Sequence, residues 1–135
     1  MSDDVGGATN RHDARERAFH LLYEAEMKGD AAAEVLAALP VDPDEFAAQL
    51  VVGVGENRDE LDTVISAHAR NWDVERMPAL DRAILRLATY ELIHRPDVPT
   101  AVVISEAVEL AKSYSTDDSS RYVNGVLSAV AGAVR

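Results

Sequence analysis

Arg11, Arg15, Phe19 and Tyr23 recur at intervals of four residues. At about 100° per residue they fall within one helical arc of about 120°, and His12 shares that arc. The arc borders an apolar stripe of Ala14, Ala18, Leu21, Leu22 and Ala25 without coinciding with it. Cations interleaved with rings suit single-stranded nucleic acid: guanidinium for phosphate, a ring face for a base. The ordinary alternative makes Phe19 and Tyr23 rim core residues and leaves the arginines solvated. From this segment alone, that alternative is the better reading.

A second set lies near the C-terminus, where Tyr114, Arg121, Tyr122 and Asn124 cluster around a helix start. Free N–H groups there favour an anion, and aromatic, cation, aromatic and amide form a plausible base-binding set. Gly125 lies one turn inside that helix, which suits close approach of another helix or of a ligand. A third set, Asp81, Arg86, Glu91 and Arg95, is mixed in sign and off its helix's apolar stripe. A solvated face is the default for it, and a polar surface for a protein partner the sharper alternative.

Other chemistry is thin. His12, His20, His68 and His94 include no metalloprotease pair, and no metal is expected. Asp117-Asp118 precedes a helix, where carboxylates cap better than they catalyse. Gly53-Val54-Gly55 lacks the strand and third glycine of a dinucleotide fingerprint. Ser119 and Ser120 lack an elbow motif. No enzyme and no cofactor are read here.

The elements that would carry these sets are helical. An arm over 1–9 precedes a helix capped by Thr9 or Asn10 and stopped by Gly29. Short helices follow from Asp30 to Leu39 and from an Asp42 cap through Val54. Asn57 can cap the next, Trp72 to Pro78 connects, and further helices span Leu80 or Asp81 to Arg95 and Thr100 to Tyr114. Asp117 or Asp118 caps the last. Val102-Val103-Ile104 is the only tempting strand, and its pattern continues at helical period. The class is all-α, about seven helices, in a single domain over 10–135.

The 135 residues include 47% apolar and 27% charged side chains and no cysteine. That mix is globular. It excludes disulfides, thiolate metal sites and cysteine nucleophiles, and it suits a reducing, cytoplasmic setting. No signal peptide or membrane span is apparent. The net charge of −11 argues against a general nucleic-acid binder. The acid is uneven, however: residues 29–69 hold nine acidic residues and one basic. The remainder can still carry a local basic patch.

Three stretches are distinctive. They are Ala14-Arg15-Glu16-Arg17-Ala18 with Leu21-Leu22-Tyr23, then Asp81-Arg82-Ala83-Ile84-Leu85-Arg86 with Tyr90-Glu91-Leu92. The third and most specific is Val98-Pro99, Ile104-Ser105-Glu106-Ala107-Val108-Glu109-Leu110-Ala111-Lys112 and Tyr122-Val123-Asn124-Gly125-Val126-Leu127. Together they resemble the NusB family of transcription antitermination factors, and the resemblance covers nearly everything after residue 10. It implies two small helical sub-bundles, binding of boxA-type RNA from ribosomal RNA transcripts, and a partner, the ribosomal protein NusE. The pair would join RNA polymerase and suppress termination, and some members form homodimers.

By position, the resemblance puts Arg11, Arg15 and Tyr23 in the family's arginine-rich first helix. It puts Tyr114, Arg121, Tyr122 and Asn124 in its second RNA-facing segment, and Asp81, Arg86 and Glu91 on the NusE face. His12 and Asp13 interrupt the family's arginine run, tyrosines stand at 114 and 122 where phenylalanine is common, and Ser105 replaces the usual asparagine. With few phosphate contacts, unaided RNA binding should be weak and salt-sensitive. Two other functions are weighed: a protein-interaction module with little RNA affinity and, ranked last, the targeting domain of an RNA-modifying enzyme.

Overall fold

The structure is a computed structural model that describes residues 3–70 and 73–135, the side chains of 3–10 excepted. Seven α-helices and one short 3-10 turn account for the elements among the described residues, and none of these is a strand. They are α1 (Asp3–Lys28), α2 (Ala32–Ala37), α3 (Glu45–Glu56), α4 (Arg58–His68), the turn Val74–Arg76, α5 (Ala79–His94), α6 (Thr100–Tyr114) and α7 (Asp117–Val134). Trp72 of the expected connector lies outside the described residues.

The helix ends follow local chemistry, not always at the residue expected. α1 begins at Asp3, upstream of the Thr9 or Asn10 cap. It stops where expected. Gly29 takes φ +71, its N–H donates to the Glu26 carbonyl, and the Asp30 N–H reaches back to that of Ala25. Those two bonds close the helix end as only a left-handed residue allows. Asp44, not Asp42, caps α3: its carboxylate accepts from the Phe46 and Ala47 N–H groups. Thr116, not Asp117 or Asp118, caps α7 by accepting from Ser119 N. The two aspartates instead fill the first turn, where they complement the helix dipole. Asn57 precedes α4 but turns its side chain back, donating to the Gly53 carbonyl at 2.7 Å and closing α3.

Helices α1–α3 pack as one group and α4–α7 as another. α5 runs between them, touching α1, α3, α4, α6 and α7. Both groups feed one continuous core that includes Phe19, Leu50, Ile65, Ile84, Leu92 and Leu127. The α1 stripe of Ala14, Ala18, Leu21, Leu22 and Ala25 is buried as its spacing predicts. Gly53 is the close-approach glycine of the structure: a Cβ there would run into the ring of Tyr90 on α5.

The chain's last residue locks α5 in place. The Arg135 guanidinium donates to the carbonyls of Glu91, Leu92, Arg95 and Val98. Arg82 does similar work at the opposite end, donating to the carbonyls of Val74, Glu75 and Met77 while gripping Glu26 of α1 at 2.7 Å.

Candidate nucleic-acid interface

Of the second set, Tyr114 joins the first where α1 lies against the end of α6. Phe19 is fully buried between them, its ring centroid 6.5 Å from Tyr23 and 5.3 Å from Tyr114. His20 meets Tyr114 edge-on at 4.8 Å. The Tyr114 hydroxyl donates to Glu16 at 2.6 Å, so the 3.0 Å contact from His20 Nε2 to that hydroxyl is a donation by the imidazole. Giving its proton to a carboxylate raises the Tyr114 pKa above 10.0. Tyr114 and His20 are exposed and Tyr23 is half-buried.

Arg121 and Asn124 lie elsewhere. They line a shallow groove between α6 and α7 together with Lys112, Ser105 and Ser128, a lining that includes neither Tyr114 nor Tyr122. Arg121 is three-quarters exposed and holds Asp118 at 2.7 Å. Tyr122 is half-buried against the core, with its pKa raised by burial and then by the nearby Asp81.

Arg15 is not a surface cation. Its side chain is 5% exposed and grips Glu91, itself 2% exposed, in a fork. Arg15 Nε lies 2.9 Å from Oε2 and Nη2 lies 2.9 Å from Oε1. Glu106 adds a second carboxylate at 3.7 Å and also accepts from His12. That hydrogen bond, with the Glu106 charge, raises the His12 pKa above 6.5. Arg11, by contrast, is exposed.

The set expected on the NusE face is also internal: Asp81, Arg86 and Glu91 are all buried. Steps of five residues advance about 140° around a helix, so the three point three ways and cannot form one surface. Asp81 accepts from Ser115 and Ser119 at 3.0 Å each, tying the α6–α7 turn to the start of α5. Arg86 grips Asp62 of α4 at 2.7 Å and approaches Glu26 of α1. Glu91 takes Arg15.

Sequence reading missed Phe46, Arg82, Arg135 and the Gly53–Tyr90 contact as organising residues. The Phe46 ring gathers Arg11, Arg15 and Arg95 on itself. Nothing local in the sequence joins α3 to those arginines. Among the described residues, no group of three or more His, Asp or Glu is placed to hold a metal. No described helix is long and apolar enough to cross a membrane.

A model of the NusB family matches residues 12–132. The chain belongs to the NusB family. It is 50% identical over 132 residues to the transcription antitermination protein NusB of Saccharopolyspora erythraea, covering 93% of this chain and 88% of that protein. T. maritima NusB superposes with a TM-score of 0.82 at 33% identity, covering 90% of each chain. A crystal structure of the antitermination factors NusB and NusE in complex with dsRNA contains a chain that matches at TM-score 0.80 and 30% identity. That match covers 93% of this chain and 98% of that one. The NusB resemblance and the all-α fold expected from sequence therefore hold, whereas Arg15, Asp81, Arg86 and Glu91 are buried rather than on the surface.

Proposed function

We propose that this chain is a transcription antitermination factor of the cytoplasm. It binds boxA-type single-stranded RNA of ribosomal RNA transcripts together with NusE, and the complex helps RNA polymerase read through terminators. Family membership supports this, and so does one observation. The buried Phe19 ring packs against both Tyr23 and Tyr114, two tyrosines far apart in sequence. In this reading Tyr23, Tyr114 and Tyr122 stack on unpaired bases, Arg11 and Arg121 hold phosphates, and Asn124 meets a base edge. Arg15 acts as a positioning residue that fixes α1 to α5. Asp81, Arg86 and Glu91 are the internal frame of the NusE-binding half, not its contact surface.

The charge of −11 favours a second reading, a module that binds NusE or a second copy of itself with little RNA affinity. Fluorescence anisotropy separates the two. A boxA-type RNA and a scrambled control are titrated with and without NusE at two salt concentrations. The first reading expects preference for boxA, strengthened by NusE. Equal, weak binding of both RNAs with NusE bound would overturn it in favour of the second.

A further inference from the structure

Three guanidinium groups converge on the half-buried ring of Phe46. The Cζ atoms of Arg11, Arg95 and Arg15 lie 4.7, 5.0 and 5.4 Å from its centroid. Each cation gains from the ring face, but three like charges so close repel, so their counter-charges decide what the cluster can bind. Arg15 is satisfied by Glu91 and Glu106. Arg11 and Arg95 share one carboxylate, Asp97, whose side chain is 55% exposed.

That shared carboxylate is held loosely. Asp97 lies 3.4 Å from Arg95 Nε and 4.0 Å from Arg11 Nη1. Where this chain closes an ion pair tightly, as at Arg82–Glu26 and Arg86–Asp62, the distance is 2.7 Å, the range of a strong charge-assisted bond. Arg95 Nη1 donates to the Gln49 side chain, Nη2 reaches Asp97 only at a long 3.5 Å, and Nε makes no hydrogen bond. The other nearby acid, Glu45, accepts from Gln49 at 3.5 Å. Two cations with underused donors thus flank one weakly bound, exposed anion.

We propose that Arg11 and Arg95, braced on Phe46, form a phosphate subsite, and that Asp97 is its internal stand-in. The Asp97 carboxylate occupies the place of an incoming phosphate and swings to solvent when one arrives. A phosphate bears more charge and more acceptor oxygens than a carboxylate and can engage both guanidiniums at once. The subsite would extend the RNA path from Tyr23 to the far end of the same α1 arc. Naming RNA as the phosphate's carrier rests on the proposed function; the subsite itself does not.

The test uses the full chain and boxA-type RNA, with anisotropy across a salt series. Arg95→Gln is expected to weaken binding several-fold and flatten the log–log salt slope by about 0.7, one single-strand phosphate contact. Asp97→Asn is expected to tighten binding about two- to fivefold, the scale of an exposed charge contact. Asp73→Asn, another exposed aspartate beside an arginine, is the control and should leave affinity unchanged. In parallel, inorganic pyrophosphate is titrated while the arginine Nε–H resonances are followed by NMR, with Arg95 shifting in the wild type.

RNA binding that ignores both Arg95→Gln and Asp97→Asn would overturn the subsite and leave the RNA function standing. Tightening by Asp73→Asn equal to that by Asp97→Asn would reduce the effect to net charge and also overturn the subsite. Pyrophosphate binding at Arg95 without RNA binding would keep the subsite and overturn its carrier. Failure of both probes would overturn both. Should Arg95→Gln not fold, Asp97→Asn and the pyrophosphate titration still decide.

Discussion

Arg15→Ala should damage the fold before it damages RNA binding. The Arg15–Glu91 pair is closed by Nε and Nη2 on the two carboxylate oxygens, with both side chains at least 95% buried. Deleting Arg15 leaves the Glu91 carboxylate in the core with no other side-chain hydrogen-bond donor among the described residues. Removing one member of a buried pair costs about 3–5 kcal/mol. At this chain length 1 kcal/mol moves Tm by about 3–4 °C, so a fall of about 9–20 °C is expected. Glu91→Ala should cost less, because Arg15 keeps Glu106 at 3.7 Å, a carboxylate with access to solvent. Arg15→Met combined with Glu91→Met should return most of the loss, since an apolar pair has no charge to desolvate. Urea unfolding of the wild type, both single variants and the double variant measures all three terms. An Arg15→Ala loss below about 1 kcal/mol would refute the burial argument and return Arg15 to the surface as a phosphate ligand. The folded double variant then tests function: it should keep the wild-type salt slope for RNA.

Tyr122→Ala should lose about 1–3 kcal/mol of RNA affinity if a base stacks there, read by anisotropy; unchanged affinity would remove Tyr122 from the interface. Glu106→Gln should bring the His12 midpoint down towards 6.5, read by NMR titration, because Glu106 is the main cause of its elevation. The sign follows: the His12–Glu106 contribution to stability is complete below pH 6.5 and fades as pH rises through the folded midpoint. Gly53→Ala should destabilise by about 1–3 kcal/mol through its clash with Tyr90, and Tyr90→Leu should relieve part of that loss in thermal unfolding.

Local chemistry was legible where one short-range signal governs. Pro99 and the helical period place α6 at Thr100–Tyr114, and Gly29 ends α1. Caps slipped by one or two residues where several acceptors compete within one run, as at Asp42 against Asp44 and at Asp117 against Thr116. The larger miss concerns charge. Charged residues off an apolar stripe are ordinarily solvated, and nothing local to Arg15 announces a partner 76 positions away in Glu91. The same holds for Phe46, whose arginines arrive from α1 and from the end of α5.

One signal in the sequence did carry the answer. Asp81, Arg86 and Glu91 step by five, and that step turns each about 140° from the last. A helix that presents charge on every side cannot have a solvated face and a core face in the usual sense; it must be surrounded, and each charge must find its partner on a different neighbour. The structure realises this, with Asp81 on the α6–α7 turn, Arg86 on α4 and α1, and Glu91 on α1. The consequence is mechanical. The α6–α7 turn between Tyr114 and Tyr122 is fastened to the same helix that fastens the first helix with Tyr23. Whatever shifts α5 therefore moves both halves of the proposed RNA surface together.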